Sequence, residues 1–125
     1  MLSAIAISIG ASLGAVSRWV VGGLLNDVFP SLPLGTLGAN LAGGYLIGVA
    51  VSYFAYAPHI AAEWRLLIVT GFLGSLTTFS TFSMESALLL RNEEYLSCAI
   101  LILAHVGGSI VMTLLGIATF ALLRR

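Results

Sequence analysis

The chain has 125 residues, of which 59% are hydrophobic and only 8% are charged, and its formal net charge is zero. A typical soluble domain has about 25% charged residues, so this composition cannot supply a water-exposed surface. The mean hydropathy of +1.08 predicts instead an integral membrane protein in contact with lipid. The zero net charge and the lack of a basic cluster argue against a nucleic-acid partner.

Four apolar stretches are long enough to cross a bilayer, for which a helix needs about 20 residues. They cover about residues 2–25, 34–57, 66–90 and 95–123, and short polar turns separate them. Backbone polar groups in lipid must be satisfied internally, and the period-two alternation of a barrel is absent, so these spans are predicted to be helices. Residues 1–125 are therefore predicted to form a single all-α, four-helix transmembrane domain.

Small residues mark packing faces in the first two spans. Gly10 and Gly14 are spaced four apart, as are Gly44 and Gly48, and such pairs let helix backbones approach closely in lipid. Asn40 continues the second row at the same spacing, so its side chain is predicted to point into the bundle or a subunit interface. The alternative is that Asn40 is only an interhelical hydrogen-bonding residue, typically worth under about 1 kcal/mol.

The third span combines glycines with hydroxyl side chains at mid-membrane depth, over Gly71 to Glu85. Helix propensity is poor there, and Ser and Thr compete for backbone hydrogen bonds, so a break between Gly74 and Thr78 is predicted. Non-helical backbone at this depth survives only inside protein or beside a polar cavity. Its free carbonyls could bind a cation. The alternative is that the hydroxyls bond back to carbonyls one turn earlier and do nothing else.

Two further features suggest a path for a small anion. Phe79 and Phe82 share a helix face, and the positive edges of aromatic rings can solvate an anion. The fourth span carries a polar row at spacing four: His105, Ser109 and Thr113. Amide, hydroxyl and ring-edge donors without a fixed charge suit an anion that must shed water and still leave again. Taken singly, each feature is more simply explained by helix packing or by a satisfied interior histidine.

Ionisable groups within spans are functional candidates by default. Arg18 and Glu85 qualify, although both lie near helix ends and could extend towards water. Together with His105 they are the candidates for a polar vestibule. No metal-ligand spacing, nucleophile elbow or P-loop is present, so an enzyme is not predicted. The residues alone indicate a small oligomeric transporter or channel.

The arginines give a weak orientation signal. Four spans place both termini on one side, together with Arg65, Arg124 and Arg125, whereas Arg18 and Arg91 lie near the other side. A bias of about three against two leaves two outcomes open. The chain inserts in one orientation with its terminal arginines inside, or it inserts both ways and two copies pair antiparallel. A dimer is expected in either case, because four short helices enclose little interior.

The third-span sequence G-F-L-G-S-L-T-T-F-S-T-F-S-M-E (Gly71–Glu85) closely resembles the signature of the Fluc/CrcB fluoride channels. Gly10–Arg18 and Gly35–Asn40 match as well, so the resemblance covers essentially the whole chain. It implies an antiparallel, dual-topology homodimer with a broken third helix, embedded in the lipid of a bacterial inner membrane. Its implied function is passive export of fluoride, which lowers the cytoplasmic fluoride concentration.

The resemblance also implies roles for individual residues. The implied fluoride pathway comprises Asn40, Phe79, Phe82, Ser80, Thr81, Ser109 and Thr113. Gly74 and Thr77 match positions whose backbone carbonyls hold a structural sodium ion at the dimer centre. Two departures are present: Ser75 stands where many members have glycine, and His105 stands where others carry a hydroxyl.

Two other functions compete with the channel. The first is a small multidrug-resistance-type, proton-coupled exporter, which needs a membrane-embedded carboxylate, typically in the first helix. Here the first span contains Arg18 and no acid. The second is a scaffold subunit without transport activity, which would have no use for a hydroxyl-rich break.

Overall fold

The computed structural model describes all residues, Met1–Arg125, and every regular element is helical. The elements are α1 (Leu2–Leu25), a 3-10 turn (Asn26–Val28), α2 (Leu34–Tyr56), α3 (Ala62–Arg65), a π-helical segment (Leu66–Leu73), α4 (Gly74–Leu76), α5 (Phe79–Arg91) and α6 (Tyr95–Leu123). They form four spans that are long and apolar enough to cross a membrane: Leu2–Val28, Leu34–Tyr56, Ala62–Arg91 and Tyr95–Leu123. The predicted number and order of spans are therefore confirmed.

The third span begins at Ala62, earlier than the predicted start near residue 66. Its first turn contains Glu63 and Arg65, two charged residues that a hydropathy criterion assigns to the preceding loop. An acidic side chain in the first turn of a helix is favourable because it faces the positive end of the helix dipole. The charged turn thus begins the helix.

Two helix pairs form the bundle: α2 packs along α6, and α1 packs along the Leu66–Leu73 segment. Glycine makes these contacts close. A Cβ added at Gly48 would overlap the carbonyl oxygen of Thr113, and one at Gly10 would overlap that of Leu67. The prediction that the glycine pairs allow close helix approach is confirmed.

Replacing Gly48 with Ala should destabilise the bundle, because the added methyl group meets backbone that cannot move without shifting α6. Overpacking of this kind typically costs about 1–3 kcal/mol. The matched control is Gly107→Ala in α6, where an added Cβ meets nothing within 4 Å. Thermal unfolding in detergent checks the prediction, and equal melting temperatures for the two variants would contradict the close contact.

The outside of the bundle is apolar. Only 21 of 125 residues are buried, and every span exposes large hydrophobic side chains, including Leu13, Val51, Leu88 and Leu103. Such a surface is unstable in water and requires lipid or another subunit. At one end of the bundle the guanidinium of Arg124 lies 4.3 Å from the centre of the Tyr56 ring, so the C-terminal ends of α2 and α6 lie on the same side.

Candidate functional site

Two extended residues separate α4 from α5. Thr77 has φ −84° and ψ 152°, and Thr78 has φ −147° and ψ 112°. Thr78 is the N-cap of α5, since its Oγ1 accepts the backbone N–H of Thr81 at 3.1 Å. The same hydroxyl lies 3.0 Å from the hydroxyl of Thr81 and 3.2 Å from that of Ser80. A Thr N-cap is typically worth about 1 kcal/mol, so it fixes where α5 begins.

The Asn40 side chain, which comes from α2, hydrogen-bonds to the backbone of this interruption. Its Oδ1 accepts the backbone N–H of Thr78 at 2.7 Å, and its Nδ2 donates to the carbonyl of Thr78 at 3.1 Å. The amide thus supplies both hydrogen bonds that an uninterrupted helix would have given Thr78. The prediction that Asn40 points into the bundle is confirmed, and the contact is a specific one with the third span.

The two carbonyls predicted to hold a cation have lost their helical partners. The N–H of Thr78, which would bond Gly74, donates to Asn40 instead, and the N–H of Thr81, which would bond Thr77, donates to the Thr78 hydroxyl. Carbonyl oxygens are suitable ligands for hard cations, so the donor set fits a sodium ion. No cluster of three or more His, Cys, Asp or Glu residues is present to hold a transition metal.

Arg18 lies beside the same segment. Its Nε donates to the carbonyl of Ser75 at 3.0 Å, so this carbonyl is already engaged by a positive charge. Arg18 also lines a cavity of about 390 Å³ together with Thr36, Thr78 and Thr81. This arrangement places a cationic side chain at the lining of the cavity, and the vestibule role of Arg18 stays a prediction.

The two predicted phenylalanines form an edge-to-face pair with ring centroids 5.5 Å apart and an interplanar angle of 67°. Phe82 is buried, with 7% of its surface exposed, and it stacks on the ring of His105 at 4.6 Å. Phe79 is 76% exposed in the single chain. The prediction that Phe79 and Phe82 share a helix face is confirmed, but the single chain buries only the ring of Phe82.

His105 is 4% exposed. Its Nδ1 lies 3.0 Å from Nδ2 of Asn40, whereas its Nε2 is buried and has no hydrogen-bond partner within the chain. A buried polar group without a partner costs about 1–3 kcal/mol. The histidine is therefore half satisfied, in contrast to the fully satisfied interior histidine of the simpler interpretation.

A cavity of about 490 Å³ brings most of these side chains together, and it is open on one side. Seven of the predicted site residues line it: Asn40, Gly74, Thr77, Phe79, Phe82, His105 and Ser109. Thr78 lines both this cavity and the one beside Arg18. The extended part of the third span thus borders both cavities.

Three predicted residues lie outside these linings: Ser80, Thr113 and Glu85. The hydroxyl of Thr113 bonds back to the carbonyl of Ser109 at 2.9 Å, which is the simpler behaviour considered for membrane hydroxyls. Glu85 accepts a hydrogen bond from the Thr36 hydroxyl at 2.7 Å through Oε1, while its Oε2 is buried without a partner. Glu85 is thereby connected to the Arg18 cavity through Thr36.

The sequence interpretation named Thr78 only as one end of the break, and it did not name Thr36 at all. Thr78 carries a recognisable N-cap pattern, since it precedes Thr81 by three residues at the start of a helix. Thr36 belongs to the row of Asn40 and Gly44 at spacing four and therefore shares their face. Both signals are present in the sequence, but neither distinguishes a structural threonine from one that lines a cavity.

Four apolar spans, of which the third contains the extended residues Thr77 and Thr78, define a small multi-pass membrane protein with open cavities beside that span. The family model described as "CrcB-like protein, Camphor Resistance (CrcB)" matches residues 5–117, and the chain belongs to this family. The resemblance seen in the third span is thereby confirmed.

Several curated relatives match nearly the full length. A protein of Tolumonas auensis is 58% identical over 125 residues, covering 100% of this chain and 98% of the relative. One of Desulfovibrio desulfuricans is 58% identical over 118 residues, covering 94% and 92%. One of Pseudomonas paraeruginosa is 59% identical over 115 residues, covering 92% and 91%. Each of the three is named "Fluoride-specific ion channel FluC".

Proposed function

We propose that this protein is a fluoride-specific ion channel that lets fluoride leave the cell passively. The observation that carries the proposal is the 58% identity over the entire chain to a relative named for that activity. The site is compatible with it, because the polar groups of its lining are amide, hydroxyl, imidazole and backbone groups, and no cluster of metal-binding side chains is present. The protein would then move an ion and catalyse no reaction.

The two cavities supply the parts of an anion pathway. A fluoride ion entering the larger cavity would exchange water for the ring edges of Phe79 and Phe82 and the hydroxyl of Ser109. Ring edges are weakly positive and bear no formal charge, so they replace hydration without trapping the ion. On the other side of the break, Thr81 and Arg18 line the second cavity. Arg18 would attract anions to that entrance.

We further propose a structural sodium ion at the break, held by the backbone carbonyls of Gly74 and Thr77. Both carbonyls lack their helical N–H partners, which supports this assignment. A bound sodium ion would supply a fixed positive charge against the negative end of the preceding helical segment. Two residues shape the site: Asn40 accepts the Thr78 N–H that would otherwise bond to Gly74, and the Thr78 hydroxyl accepts the Thr81 N–H that would otherwise bond to Thr77.

An antiparallel, dual-topology homodimer in a bacterial inner membrane completes the proposal. Its support is the large cavity, which is open on one side, and the Phe79 ring, which is 76% exposed although it projects from a site-forming helix. A second copy would cover both. The proton-coupled exporter has no comparable support, because α1 contains no acidic residue.

Fluoride and chloride efflux from proteoliposomes tests the channel function. Purified protein should release fluoride at least about a hundredfold faster than chloride, a discrimination of about 2.7 kcal/mol. Protein-free liposomes made from the same lipid are the control for passive leakage. Equal efflux of the two ions, or release that requires a proton gradient, would contradict the proposal.

A further inference from the structure

The orientation of the Asn40 amide is fixed by backbone chemistry alone. The N–H of Thr78 can only donate a hydrogen bond and its carbonyl can only accept one. The amide atom 2.7 Å from that N–H must therefore be the oxygen, and the atom 3.1 Å from that carbonyl must be the nitrogen. A flipped amide would place donor against donor and acceptor against acceptor.

This orientation determines the protonation of His105. The Asn40 nitrogen carries two protons and no lone pair that accepts. One proton goes to the Thr78 carbonyl, and the atom 3.0 Å away on the other side is Nδ1 of His105. Nδ1 must accept and therefore carries no proton. The imidazole is then neutral, with its proton on Nε2.

The surroundings of His105 hold its ring in this position, and they contain no hydrogen-bonded charged partner for a protonated imidazole. Phe82 stacks on the imidazole, and the side chain is 4% exposed. Of the two helices packed on this part of α6, α2 contains no charged residue, only the tyrosines Tyr45, Tyr53 and Tyr56. α5 contains Glu85 and Arg91, and neither of them hydrogen-bonds to His105.

We propose that His105 is a positioning residue for the pathway. As the neutral Nε2–H tautomer it accepts the second amide proton of Asn40 and so completes three hydrogen bonds that lock this amide against Thr78. The shape of the break between the two cavities then depends on a residue of α6, 65 positions from Asn40 in the sequence. The flux consequence rests on the proposed channel function, whereas the tautomer does not.

Nitrogen-15 NMR of labelled histidine tests the tautomer directly. The chain has two histidines, and the other, His59, is exposed in a turn, so His59→Gln leaves a single signal source. In lipid bilayers Nδ1 of His105 should show the shift of an unprotonated nitrogen and Nε2 that of an N–H. Adding Asn40→Ala should redistribute the two tautomers. A protonated Nδ1 in the Asn40 background would overturn the proposal, whatever the transport assay shows.

A matched pair of substitutions tests the positioning role. His105→Asn places an amide oxygen near the position of Nδ1, whereas His105→Gln places its polar end near Nε2 and leaves Asn40 without that acceptor. Both remove the ring that stacks on Phe82, so the packing loss is comparable.

Fluoride efflux of the Asn variant should stay within about twofold of wild type, and that of the Gln variant should fall about 2- to 10-fold, as expected for one net hydrogen bond. Equal losses of fluoride efflux in the two variants would show that His105 acts only through packing. If wild-type protein passes no fluoride, the proposed function fails, and the NMR measurement still decides the tautomer.

Discussion

Asn40→Leu should abolish fluoride efflux and lower the stability of the protein. The substitution conserves approximate volume but removes the partner of the Thr78 N–H, of the Thr78 carbonyl and of Nδ1 of His105. Unsatisfied buried polar groups cost about 1–3 kcal/mol each. The two backbone groups together therefore predict a loss of about 2–6 kcal/mol in the free energy of unfolding, and a fall in flux of at least about a hundredfold.

The measurements are fluoride efflux from liposomes and thermal unfolding of the purified protein. Ser52→Ala is the matched control, since Ser52 is another polar residue of α2 whose hydroxyl only bonds back to the Gly48 carbonyl at 2.9 Å. Its flux should remain within about twofold of wild type. An Asn40→Leu protein that melts and conducts like Ser52→Ala would show that the amide neither closes the break nor serves the pathway.

The features that could be predicted from the sequence are those determined by the lipid environment and by the spacing of residues along a helix. Lipid requires long apolar helices, so hydropathy located the four spans. Glycines four residues apart fix which helix faces meet, and the row through Asn40, Gly44 and Gly48 therefore identified the inward face of α2. The cluster of Gly, Ser and Thr residues predicted a break at residues 74–78, and these residues include the extended Thr77 and Thr78.

Other features depend on contacts that no local pattern encodes. The π-helical segment Leu66–Leu73 has an apolar sequence that is compatible with an ordinary α-helix. The segment packs along α1, with Gly10 against the carbonyl of Leu67. The contact between Asn40 and His105 joins different spans, and neither residue indicates the other. Helical periodicity assigns a face to a residue, but it does not assign a partner.

A comparison of Phe79→Ile with Phe82→Ile should separate an effect on fluoride transport from an effect on folding stability. Phe82 is buried and touches both Phe79 and His105, so its loss should destabilise the chain by about 1–3 kcal/mol. Phe79 is 76% exposed, and its ring contact within the chain is the edge-to-face pair, worth about 0.5–1.5 kcal/mol. Phe79→Ile should therefore lower the free energy of unfolding by no more than about 1.5 kcal/mol, while fluoride efflux falls at least about tenfold, equivalent to about 1.4 kcal/mol.

The physical reason for this difference is that an aliphatic side chain fills space but has no electropositive edge for an anion. Met84→Ile is the control, because Met84 is also exposed, at 57%, on the same helix but outside the ring pair. Oligomeric state must be measured beside efflux, since an exposed ring can serve a subunit contact as well as an ion. A Phe79→Ile protein that keeps the wild-type oligomeric state and loses flux supports the ring-edge role. A change of oligomeric state would assign Phe79 to a subunit interface, and wild-type flux in an unchanged oligomer would remove the aromatic edge from the pathway.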